Sequence, residues 1–184
     1  MTPEDLPFDP GLFLDSQSLT LYRLARARYA NLSGVGAALV PGRWNRLGQE
    51  AIYTSTEQGV PLLERLVHTP KHLIPSNLAL MKIRISGKWE GHKNAVLDPK
   101  TGGCLAFYRT ISEARRSFEH DPHFFGVGIN PFGIAVPSVI VPVWNVVLYP
   151  QGVGFWDHVA LDSVEPFEFD PRLFPDSAAI DTTY

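Results

Sequence analysis

A single cysteine stands in the 184 residues. Cys104 therefore has no partner for an internal disulfide, and the chain suits a reducing compartment. No apolar run approaches the roughly 20 residues a membrane helix requires. The opening Met1-Thr2-Pro3-Glu4-Asp5 is acidic and lacks the basic-then-apolar order of a signal peptide, so a cytoplasmic protein without a membrane partner is expected. Excess charge of one sign is also missing: 16 Lys and Arg stand against 19 Asp and Glu, a net −3. That balance gives no electrostatic basis for direct nucleic-acid binding. There is no internal repeat, which excludes a solenoid. The dinucleotide fingerprint is absent as well. Gly34-Val35-Gly36 has Leu39 where a third glycine belongs, and Gly126-Val127-Gly128 runs into Pro131. No metal is expected either: Pro70 interrupts the helical face that would align His68 with His72, and His120 and His123 are likewise split by a proline.

What is present reads as an ordinary globular chain, 45% hydrophobic and 19% charged, long enough for one domain with a real core. The expected organisation is an N-terminal extension over 1–18, a domain over 19–174 and a loose tail over 175–184. Alternation over Leu19–Ala25 and Leu78–Ile85 predicts strands, the latter with Met81, Ile83 and Ile85 on one face and Lys82 and Arg84 on the other. Residues 26–50 read as a long loop, and 86–110 as connection with a turn at Gly102-Gly103. A helix is predicted after a Ser55 or Thr56 cap, with Leu62, Leu63, Leu66 and Val67 as its apolar face and Pro61 near its first turn. A short polar helix follows from Ser112 to His120. A short strand at Ala51–Thr54 precedes the first of these helices, and others close the chain at Ile134–Val136, Val139–Val143, Val146–Leu148, Val159–Leu161 and Val164–Phe169, the last two separated by a turn at Asp162-Ser163. The fold class is a strand-rich α+β domain.

Chemistry-bearing residues fall at the edges of these runs. In Gly42-Arg43-Trp44-Asn45, glycine permits close backbone approach, Arg43 offers a fork to phosphate, and Asn45 can bind a ribose hydroxyl or brace the loop. Stacking of Arg43 on Trp44 is an equal alternative on composition alone. Glu64 reads as a solvated helix residue or one pairing with His68. Ser138 is either a turn residue or a ligand-facing hydroxyl. Cys104 has no activating motif around it and reads as a structural thiol.

Taken in order, Tyr22-Arg23, Gly34-x-Gly-Ala, Gly42-Arg43-Trp44-Asn45, Ile52-Tyr53, Leu63-Glu64-Arg65-Leu66-Val67-His68, Val136-Pro137-Ser138, Trp144-Asn145 and Phe169-Asp170-Pro171-Arg172-Leu173 resemble the RES domain family. The resemblance implies a fold like that of diphtheria-toxin-like ADP-ribosyltransferases and a toxin of a toxin–antitoxin pair that degrades NAD by hydrolysis or phosphorolysis. NAD would then be substrate rather than cofactor, with phosphate as a possible co-substrate. An Xre-type antitoxin is the implied partner, and a homo-oligomer could form through that complex. The alternatives are ADP-ribosyl transfer to a protein and a non-catalytic binding domain. By the same resemblance Glu64, Arg23 and Tyr53 are the catalytic candidates. Arg43, Ser138, Asn45 and Asn145 are the candidates for binding substrate. The chain departs from the family's pattern over 123–133 and 148–152, which leaves one pocket wall undefined.

Overall fold

Alternating apolar residues build the strands that frame the molecule. The structure is a computed structural model that describes residues 18–70, 73, 75–92, 95–120 and 130–174. Most of the expected N-terminal extension, the C-terminal tail, Gly126, Gly128, His72 and His123 lie outside these residues. In chain order the strands are β1 Ser18–Arg26, β2 Ile52–Ser55, β3 Leu78–Ser86, β4 Glu90–His92, β5 Ala95–Leu97, β6 Cys104–Phe107, β7 Gly133–Pro137, β8 Trp144–Leu148 and β9 Val159–Phe167. The α-helices among the described residues are α1 Val35–Leu39, α2 Gly59–Val67, α3 Ile111–His120 and α4 Phe155–His158. None of the described helices is long and apolar enough to cross a membrane.

All the strands join one sheet in the order β4-β5-β6-β7-β8-β2-β1-β3-β9. The β6–β7 pair is parallel and joined through α3, and every other pair is antiparallel. Both faces of the sheet centre are covered. Leu21, Ile52, Met81, Ile83, Val146 and Leu148 fill one core, while Trp44, Ala51, Ile134, Val136, Val147 and Tyr149 fill another. The period-2 alternation of a strand sends neighbours such as Val146 and Val147 to opposite sides. As expected, Met81, Ile83 and Ile85 are buried and Lys82 and Arg84 are exposed.

Several expectations are corrected. The supposed connection over 86–110 contains β4, β5 and β6. The first two are only three residues each, and all four residues of Cys104-Leu105-Ala106-Phe107 are buried, so no alternation advertises the third. The turn at Gly102-Gly103 is real: Gly102 has φ +72, and its N–H donates to the Asp98 carbonyl at 2.8 Å. The loop over 26–50 holds a 3-10 turn, Ala27–Tyr29, and α1. Val139–Val143 is not a strand but a run of bends, closed by the Ser138 N–H on the Val143 carbonyl at 2.8 Å. β8 begins at Trp144, two residues ahead of the expected strand Val146–Leu148. The last two expected strands are one, β9. Lys82 lies opposite Ser163 and Ile83 opposite Leu161, leaving Asp162 as the extra residue of a bulge. Arg84 captures that residue in an ion pair of 3.1 Å.

One junction in the sheet is unlike the others. β1 and β3 pair along their whole lengths, but β1 meets β2 in register only where Tyr22 faces Ser55. Beyond that pair the two strands part, and α2 packs beside the opening.

Candidate active site

The parting of β1 and β2 forms a cleft of about 320 Å³. Arg23 and Leu24 line it from β1, Tyr53 and Thr54 from β2, and Glu64 from α2. Helix α2 is held by Leu62 and Leu66, which pack near Leu24, Leu78 and Phe169. One turn apart, each contributes on the order of 1–2 kcal/mol by burial. Leu63 and Val67, expected on the same face, are 41% and 66% exposed instead. Pro61, Glu64, Arg65 and His68 recur at three- and four-residue spacing and line the cleft from a second face. Pro61 sits in the first turn, where an amide N–H has no partner within the helix. The N-cap residue Gln58 makes no side-chain cap hydrogen bond. The expected caps serve elsewhere: the Ser55 and Thr56 hydroxyls donate to the Trp144 carbonyl at 3.1 and 3.2 Å and fasten the end of β2 to β8.

Glu64 is half-buried and does not stand alone in solvent. Asn145, opposite Ser55 in the sheet, donates its Nδ2 to Glu64 Oε1 at 2.9 Å. Its own Oδ1 is buried without a hydrogen-bond partner among the described residues. Such an acceptor costs about 1–3 kcal/mol unless a donor reaches it.

Arg23 is the cation that β1 brings to the cleft. Its Nη1 donates to the Asn31 carbonyl at 3.3 Å, and it has no carboxylate partner among the described residues. Burial pushes its pKa down from the ordinary arginine value because the charged form loses hydration. A desolvated guanidinium with most of its N–H edge unused is a binding group for an anion.

Tyr53 shows its ring to the cleft while its hydroxyl is tied behind it. The hydroxyl accepts from Trp44 N–H and donates to Asn45 Oδ1, both at 2.9 Å. Burial raises the phenol's pKa, against smaller opposing effects of the Trp44 hydrogen bond and the Arg43 charge. Tyr53 is therefore a fixed, protonated ring. Asn45 braces the loop. Its Oδ1 also accepts from Gly42 N–H at 2.8 Å, and its Nδ2 donates to the Ala37 and Gln49 carbonyls at 2.8 and 3.0 Å.

Arg43 is exposed, close enough to Tyr53 to act on it electrostatically, and does not line the cleft. Trp44 is buried with its ring edge-on to Phe118, so the Arg43 charge is carried on the outside of a rigid loop. Ser138 does not line the cleft either. It is fully buried, and its hydroxyl accepts from Ile140 N–H at 3.2 Å within the turn that follows β7.

The structure thus gathers Arg23, Tyr53 and Glu64 with Asn145 behind Glu64. It adds two residues that sequence reasoning did not assign to the site, Arg65 and His68. Their signal was available, since they lie one and four residues beyond Glu64 and the latter spacing repeats on a helix face.

The RES domain family matches residues 20–170. The toxin Res of Photorhabdus laumondii is 32% identical over 160 residues, 84% of this chain and 97% of that protein. A Prs ADP-ribosylating toxin from Sphingobium sp. is 34% identical over 147 residues, covering 78% of this chain and 86% of the other. Among solved structures, a chain of the M. tuberculosis MbcT–MbcA toxin–antitoxin complex aligns with a TM-score of 0.50 and 20% identity, covering 93% of this chain and 98% of that one. At that identity the likeness is one of fold.

Proposed function

The chain belongs to the RES domain family, and we propose from that premise that it is a toxin that cleaves the nicotinamide–ribose bond of NAD. The observation that carries this reading is the Asn145–Glu64 hydrogen bond at 2.9 Å in a cleft that also holds Arg23 and Tyr53. The bond to be broken joins C1 of the ribose to a pyridinium nitrogen. The electron pair leaves with the nitrogen, nicotinamide departs neutral, and no general acid is needed, unlike an ordinary glycoside with its two carboxylates. The ribose carbon becomes cationic, and one oriented carboxylate, Glu64, stabilises it. Water or inorganic phosphate then bonds through oxygen to that carbon, and water's surplus proton passes to Glu64 or solvent.

Arg23 would hold a phosphate of the substrate, with Arg43 meeting charge at the rim. The Tyr53 ring would stack against nicotinamide or ribose. The unpartnered Asn145 Oδ1 suits an N–H or O–H of the ligand. Ser138, also a binding candidate by the family resemblance, would act through the turn it closes.

Product analysis of NAD incubated with the protein, with and without phosphate, tests the reading. ADP-ribose marks hydrolysis and ADP-ribose-1″-phosphate marks phosphorolysis, with Glu64→Gln as the inactive control. Intact NAD under both conditions sinks the proposal. A second acceptor, a protein side chain, is favoured by the 34% identity to a relative named as ADP-ribosylating. Transfer of label from NAD to a macromolecule distinguishes it. The protein partner of the reading is an antitoxin, supported by a fold shared with a chain from a toxin–antitoxin complex, and an Xre-type protein is the expectation from the family.

A further inference from the structure

A second cavity opens beside the Glu64 cleft and shares Arg65 and His68 with it. Its volume is about 730 Å³, against about 320 Å³ for the cleft. The smaller space lies near the bottom of the roughly 300–1,000 Å³ range of small-molecule sites. A ligand made of two nucleosides and two phosphates needs more room than that.

The larger cavity is lined by Arg26, Arg28, Arg65 and His68, and no Asp or Glu among the described residues lines it. This concentration is not the chain's average, since acids outnumber Lys and Arg 19 to 16. The last turn of α2 accounts for Arg65 and His68, because cations favour a helix C-terminus. It does not account for Arg26 and Arg28, which come from the end of β1 and the turn after it. Arg28 lies over the Tyr29 ring at 4.7 Å, which covers one face of the guanidinium and leaves its N–H edge for hydrogen bonds. None of the three arginines forms an ion pair with a carboxylate among the described residues. The wall that carries Arg26 and Arg28 is fixed by the Ala27 N–H on the Asn77 carbonyl at 2.7 Å. Asn77 has φ 54, a left-handed conformation that asparagine tolerates better than most residues.

The geometry points to this cavity as a phosphate-binding subsite adjoining the Glu64 cleft, with Arg26, Arg28 and Arg65 as its donors. The inference rests on the reading of that cleft as the seat of the nicotinamide–ribose bond. The phosphate has two possible sources: the pyrophosphate of a dinucleotide reaching past Arg65 and His68, or a separate inorganic phosphate that serves as acceptor.

Calorimetric titration of inorganic pyrophosphate, inorganic phosphate and ADP-ribose into the whole chain tests it without requiring turnover. Pyrophosphate should bind the wild type, and R26A/R28A should weaken that binding by about tenfold or more. R115A/R116A removes the same charge from exposed positions on α3 and should leave binding unchanged. Melting curves verify that both variants are folded. Competition between pyrophosphate and ADP-ribose assigns the subsite to the dinucleotide; inorganic phosphate binding alongside ADP-ribose assigns it to the acceptor. Absence of pyrophosphate binding, equal binding by R26A/R28A, or equal loss in both double variants overturns the subsite. Nicotinamide release with no effect of R26A/R28A on pyrophosphate binding strikes the subsite alone. Pyrophosphate binding that R26A/R28A weakens, without any nicotinamide release by the wild type, strikes the functional reading instead.

Discussion

Asn145 donates its Nδ2 to Glu64 Oε1 at 2.9 Å, joining a strand to a helix residue 81 positions earlier in the chain. The carboxylate is thereby oriented before any ligand arrives, which is the condition under which one charge can stabilise a transition state efficiently. Asn145→Ala should lower kcat for nicotinamide release by about 10- to 100-fold, corresponding to roughly 1.4–2.8 kcal/mol of lost transition-state stabilisation. Asn145→Asp replaces the amide donor with a second carboxylate, which repels Glu64 instead of orienting it, and should lower kcat at least as far as Asn145→Ala. Wild-type turnover in Asn145→Asp would show that the two side chains do not act together.

Gly42 is needed for the room it leaves. A Cβ there would lie 2.5 Å from the Tyr53 hydroxyl oxygen and 2.8 Å from its Cζ, too close for both to stay. Gly42→Ala should displace the phenol from Trp44 N–H and Asn45 and loosen the loop, lowering stability by about 1–3 kcal/mol. It should also raise KM for NAD. Gly59→Ala is the matched control, because its Cβ would meet nothing within 4 Å. At that helical position alanine should be neutral or stabilise by up to about 1 kcal/mol. Thermal melts of the two variants check the contrast, and equal melting temperatures would contradict it.

Arg23 trades stability for binding. A largely desolvated guanidinium without a carboxylate partner among the described residues destabilises the free protein, and burial already pulls its pKa down. Arg23→Met keeps much of the side chain's length and removes the charge. The variant should melt at a temperature equal to or above that of the wild type while losing most of its affinity for ADP-ribose. A large fall in melting temperature would mean that the arginine is structural instead.

These residues also mark how far the chain could be read beforehand. β3 was legible because Met81, Ile83 and Ile85 alternate with Lys82 and Arg84, and α3 because its polar opening is followed by a continuous helical stretch. β6 was not, because a strand buried on both faces carries no alternation. The helix bearing Glu64 was found, but its apolar face was overdrawn. Sequence periodicity counts Leu63 and Val67 as apolar without knowing that only Leu62 and Leu66 meet β1 and β3. The Asn145–Glu64 contact was beyond periodicity altogether. It depends on β8 lying beside β2, a pairing between segments about ninety residues apart that local patterns do not encode.

Cys104 offers a test of the core that is independent of catalysis. The thiol is fully buried, and burial pushes its pKa from the ordinary 9.0 up to about 12. The folded state therefore favours the protonated thiol. Because the folded value lies above the unfolded one, this contribution is fully present below pH 9.0 and is lost as pH rises toward about 12. Burial shifts Tyr149 and Tyr53 upward as well, which extends the same tendency above their ordinary 10.0. The melting temperature should therefore fall progressively through the alkaline range. Cys104→Ala should flatten the part of that fall nearest pH 9.0, at the cost of a small cavity. At neutral pH the native thiol should resist iodoacetamide and react only once denaturant opens the sheet, because the protonated, inaccessible sulfur is a poor nucleophile. Intact-mass measurement after brief alkylation decides the matter, and rapid labelling of the folded protein would place Cys104 outside the core described above.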